Sequence, residues 1–95
     1  MSAELEALHD RRQRTLIDFL NIELQLGPTF VHTAQLSLTS GHMEHFIQAI
    51  ENAVTAAKTV RRFKDQITDG LVRERIETRL WELEKLIATL EAAER

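Results

Sequence analysis

Very few positions in this chain oppose a helix: three glycines and one proline in 95 residues. An all-β fold needs frequent turns, and turns draw heavily on those two residue types. Long helices are therefore the architecture left open. Gly27 and Pro28 stand together and Gly41 follows, so breaks are expected at both places. The length suits one domain. A domain this small buries a modest core, and association with a partner or a second copy would stabilise it appreciably.

Hydrophobic periodicity predicts an all-α fold of four helices, roughly 2–26, 28–39, 41–63 and 69–93. Ser2 is placed to cap the first, and Glu4 and Glu6 suit the positive end of its dipole. In this helix Leu5, Leu8, Leu16, Phe19, Ile22 and Leu26 share one face at helical spacing, while Ile17, Leu20 and Leu24 fall on another. A helix apolar on two sides usually has two packing partners. Gly27 then stands where a helix C′ residue would be, and Pro28 cannot continue the helix, so a break is expected there.

The second segment repeats Phe30, Ala34 and Leu38 at intervals of four. Gln35 to Thr39 also alternates like a short strand, but one strand has nothing to pair with in this chain. In the third, Met43, Phe46, Ile47, Ile50, Ala53, Val54, Ala57 and Val60 make one broad apolar face, with Ser40 as the expected cap. The fourth carries Val72, Ile76, Leu80, Leu83, Ile87 and Leu90 at alternating four- and three-residue steps, a narrow a/d seam. Trp81 lies off that seam. Phe19, Phe30, Phe46, Ile50, Leu80 and Leu83 are the expected core.

From Phe30 to Val54 the spacing is that of a helix–turn–helix unit. A bulky Phe30 is followed by small Ala34, Gly41 stands at the turn, and Gly41-His42-Met43-Glu44-His45-Phe46-Ile47 leads through Ile50 to Ala53-Val54. This stretch, about a quarter of the chain, resembles a single tetratricopeptide-repeat hairpin. The resemblance implies close antiparallel packing at Ala34 and Ala53 and a tight turn at Gly41. Phe46 departs from the family's alanine, and Thr33 and Ser37 replace larger apolar residues. Repeat arrays need about three units to bury a continuous core, and one is visible. The family's peptide-carboxylate clamp does not carry over, because no Lys, Arg or Asn lies between Pro28 and Ser40.

The sequence carries no recognisable catalytic pattern, and a non-enzyme without cofactor is expected. No Ser or Thr sits in a nucleophile elbow or a phosphate loop. With no cysteine, disulfides and thiolate metal sites are excluded. His42 and His45 are three apart and share a helical face. A metal there would need a further ligand such as His32 or Glu44. The net charge of −3, with both signs interspersed, opposes a general affinity for nucleic acid or anionic lipid. Arg11-Arg12-Arg14, Arg61-Arg62-Lys64 and Arg73-Arg75-Arg79 have acids beside them and read as salt-bridged surface. No stretch approaches the ~18 apolar residues of a membrane span. The first residues lack the basic-then-apolar pattern of a secretory signal, and cytoplasmic residence is the expectation.

The apolar faces carry the functional expectation. Four helices in 95 residues present more apolar sides than one small bundle requires. A surplus of this kind marks a protein–protein interface. The chain is expected to be a non-catalytic interaction module, a homodimer or the partner of a helical protein. Ile17, Leu20, Leu24 and Trp81 are the expected contact residues. The alternative is a small metal- or ligand-binding helical bundle built on His42 and His45.

Overall fold

The computed structural model describes residues 2–94, and over them the chain is all-helical. Three α-helices follow in order: α1 (Ala3–Thr39), α2 (Met43–Phe63) and α3 (Gly70–Glu94), with one 3-10 turn (Lys64–Gln66) between the last two. Local chemistry sets the ends. The Ser2 hydroxyl accepts the Leu5 N–H at 3.3 Å and caps α1. At the other end Gly41 takes φ +76°, a left-handed conformation that side chains disfavour. There the His42 N–H donates to the Ser37 carbonyl at 2.9 Å and the Gly41 N–H to Leu38 at 3.2 Å. This is a Schellman closure, so Ser40 caps the end of α1 and not the start of α2. The Asp69 carboxylate accepts the Leu71 and Val72 N–H groups and opens α3.

The break expected at Gly27-Pro28 does not occur. The segments 2–26 and 28–39 are one continuous helix of 37 residues, with Pro28 inside it. The fold thus has three α-helices among the described residues where four were expected. Proline in a helix interior removes one backbone hydrogen bond and costs about 3 kcal/mol. Packing on both sides offsets that cost: Leu20 and Leu24 before the pair and Val31 and Ala34 after it are all buried in the same core. Gly27 is not a terminator. A Cβ added to it would lie 2.5 Å from Leu83 Cδ2, so the bare glycine is the seat for a leucine of α3.

α1 and α2 form an antiparallel hairpin and make the broadest contact in the molecule. Ala34 of α1 and Ala49, Ala53, Ala56 and Ala57 of α2 are buried, and small side chains permit that close approach. Phe46 and Val60, fully buried, fill the two ends of α2. Across this pair lies the seam of α3: Ile76, Leu80, Leu83, Ile87 and Leu90 are all buried. Of the expected core, Phe30 and Ile50 are half-buried at its margin, and Phe19 is a correction: the residue is 41% exposed.

Residue pairs fix the direction of α3. Gln13 donates to the Gln66 carbonyl and accepts the Thr68 N–H, both at 2.9 Å, and so ties the α2–α3 connection to α1. Further along, Arg79 donates to Asn21 at 2.6 Å and Leu83 meets Gly27. α3 therefore runs in the same sense as α1, starting beside Gln13. The turns of α1 before that level extend past the other helices, and every residue from Ser2 to Arg12 is exposed. The molecule is correspondingly elongated, 58 × 19 × 15 Å, its long dimension close to the ~55 Å that 37 helical residues span.

Gly27→Ala tests the seat directly. Helix propensity alone favours alanine by about 1 kcal/mol, whereas overpacking against Leu83 costs about 1–3 kcal/mol. Urea denaturation should show net destabilisation in the natural chain. With Leu83→Ala already in place the same substitution should become stabilising.

Candidate functional site

The continuity of α1 places residues from both sides of Pro28 in one register. Counting heptads along the helix, Leu5, Arg12, Phe19, Leu26 and Thr33 occupy one seam position (a). Leu8, Thr15, Ile22, Thr29 and Leu36 occupy the other (d). Six of these ten are large apolar residues: Leu5, Leu8, Phe19, Ile22, Leu26 and Leu36. All six are exposed, between 41% and 58%, and they are all of the exposed large apolar residues of α1. α1 thus carries two apolar lines. One, through Leu20, Leu24, Val31 and Ala34, faces α2 and α3; the other faces solvent.

The solvent-facing line lies on the flank of α1 away from α3. Asn21, which Arg79 of α3 contacts, is on the opposite flank from Phe19. Beside the line stands the end of α2, where the Phe19 and Phe63 rings meet edge to face at 6.4 Å. Arg62 covers the Phe63 ring at 5.2 Å. The line is therefore not a row of isolated side chains. Its middle has an aromatic floor shared by two helices.

The residues expected to form the contact are placed differently. Leu20 and Leu24 are buried in the chain's own core, and Ile17 packs half-buried against it. While the bundle is intact, these side chains are therefore engaged by the chain's own core, Ile17 at its margin. Of the face made by Leu5, Leu8, Leu16, Phe19, Ile22 and Leu26, Leu16 packs half-buried against the core and the other five are exposed. Leu36 was missed because the expected break at Gly27-Pro28 ended the count. Carrying the heptad frame through Pro28 would have found it.

Trp81 is exposed and does not join the other three. It sits about 200° around α3 from Arg79, on the flank turned from α1. Lys85 Nζ lies 4.0 Å from the centroid of its ring, a cation–π contact.

The histidines do not converge on a metal site. His42 and His45 have ring centroids 5.6 Å apart at the start of α2. No cluster of three or more His, Cys, Asp or Glu side chains exists among the described residues, so neither His32 nor Glu44 completes a ligand set. Several basic groups are engaged within the chain. Arg61 donates through Nε to Glu84 at 3.1 Å, and Arg73 donates to the Ile67 carbonyl at 2.8 Å. The hydrogen bond to Glu84 raises the Arg61 guanidinium above its ordinary range. Lys64 binds Asp65 at 2.9 Å and Glu77 at 3.0 Å, and these bonds raise its ammonium likewise. Among the described residues, Ser37 is the one buried polar side chain.

No family model, curated protein or solved structure matches this chain.

Two outcomes follow from these placements. Leu20→Ala should lower the unfolding free energy by about 2–5 kcal/mol, while Trp81→Ala stays within about 1 kcal/mol of the natural chain. Lys64 is raised in the folded state, so its contribution is complete below the ordinary lysine value of 10.5 and is lost as pH rises through the folded value. Urea midpoints across the alkaline range should therefore fall less in Lys64→Met than in the natural chain.

Proposed function

We propose that this chain is a non-catalytic protein–protein interaction module that self-associates through the outer seam of α1. The carrying observation is the coincidence of exposure and register: the six exposed large apolar residues of α1 all occupy a and d positions of one heptad frame. A random scatter of exposed leucines needs no explanation, but a line of them along a 37-residue helix has the pattern of a coiled-coil seam. The polar members, Thr15, Thr29 and Thr33, are small enough to lie within such a seam, and Arg12 can extend its aliphatic stem along it.

On this reading the hairpin of α2 with the last third of α1 is a lone tetratricopeptide-like unit that serves as scaffold. Buried Ala34 and Ala53 and the left-handed Gly41 support that part. Its role is to hold α1 straight and keep the outer seam exposed. No helix among the described residues is long and apolar enough to cross a membrane, so the seam is assigned to protein contact and not to a bilayer span.

Sedimentation equilibrium tests the proposal. The natural chain should sediment above the 11.0 kDa of one copy at low micromolar concentration. Ile22→Glu, at an exposed position, should keep the helical circular-dichroism signal and sediment as one copy. A natural chain that stays monomeric throughout the accessible concentration range would overturn the proposal.

A further inference from the structure

We infer that the second copy lies antiparallel along α1, with the two-fold axis passing between Phe19 and Ile22, and that Arg12 fixes this orientation and register. The inference rests on the self-association proposed above and adds the geometry of the contact.

The exposed residues supply the area such a dimer needs. At about half exposure, the six side chains leave roughly 600 Å² open on each copy, so pairing two copies covers about 1,200 Å², the lower bound of a standard interface. That figure omits the stems of Arg12 and the threonines.

Arg12 is the charged residue of the seam, and each arrangement places it against something different. In a parallel, in-register pair it faces its own copy, charge against charge. That pair also sets Asp18 at a flanking position against the partner's Glu23, a second like-charged contact. In an antiparallel pair, a residues meet d residues. With the axis between Phe19 and Ile22, Arg12 meets the partner's Thr29, a small polar neighbour. Leu5 then meets the partner's Leu36, and Phe19 meets the partner's Ile22. Sliding the partner by one heptad in one direction puts Arg12 on the partner's Ile22. Sliding it in the other direction puts Arg12 on the partner's Leu36. Either shift buries a guanidinium against an apolar side chain and leaves terminal leucines uncovered. The central antiparallel register alone keeps Arg12 off both charge and hydrocarbon while using the whole line.

The shape of the monomer fits the same arrangement. The exposed first turns of α1, up to Arg12, gain a partner in the last turns of the other copy's α1, which the bundle braces. At the flanks Asp18 comes to the partner's Gln25 and Arg11 to the partner's His32, with no carboxylate facing a carboxylate.

The chain has no cysteine, so single-cysteine variants report cleanly. Leu5→Cys and Leu36→Cys are prepared separately in the full chain, and each is oxidised alone and after mixing. Disulfides form only where Cα atoms come within about 7 Å. The expected result is a cross-linked dimer in the mixture that contains one chain of each variant, with little from either variant alone. Efficient cross-linking of Leu5→Cys to itself would show a parallel pair and overturn the orientation while leaving self-association standing. Cross-linking of Leu5→Cys with Thr29→Cys in preference to Leu36→Cys would overturn the register. No cross-link in any arm, together with a one-copy sedimentation mass, would remove self-association itself.

Discussion

Leu83 resting on the bare Cα of Gly27 is the contact on which the rest of this structure depends. It locates α3 along α1, and it explains why a residue without a Cβ stands inside the helix. Pro28 follows at once and cannot donate to the preceding turn. The helix continues because the residues on both sides of the pair are anchored in one core, Leu20 and Leu24 before it and Val31 and Ala34 after it. Were α1 to end at Gly27, the second half would be free to turn away. The outer seam would then be cut between Leu26 and Leu36.

The remaining packing follows from small residues. The buried alanines of α2 bring it close to α1, and Leu83 fills the space over Gly27 from the third side. Close approach consumes the inner line of α1 and leaves the bulkier outer line largely exposed, its Phe19 meeting Phe63 of α2. The hairpin closes tightly through Gly41, and the Gln13 amide holds the other end of the bundle. Both devices act on backbone groups, so they fix geometry without drawing on the apolar residues of the outer seam.

Much of this was legible in the sequence. The seam from Ile76 to Leu90 is buried as its spacing indicates, and Gly41 stands at a turn. All-helical structure followed from the scarcity of breakers. The break at Gly27-Pro28 was misread because a small residue was credited with a local effect when its role is tertiary. Gly27 next to proline matches a helix stop, yet its function is to admit Leu83. The inner line of α1 includes Gly27 and Ala34 and looks less apolar than the line of Leu5, Leu8, Phe19, Ile22 and Leu26. Burial was decided by which face let α2 come closest, and the alanines of α2 match the small residues of α1. Leu20 and Leu24, expected at a contact, are buried in the core, and Phe19, expected in the core, is exposed.

A long helix with one seam inside and one outside makes a distinctive demand on the shape of the assembly. Two copies joined along the outer seam have twice the mass of one and nearly the same length, because the α1 helices lie side by side. Small-angle X-ray scattering measures mass and longest dimension together. The expected result is the mass of two 11.0 kDa chains with a longest dimension close to the 58 Å of one. The mass of a single chain at every concentration, or a doubled mass with a nearly doubled length, would contradict it.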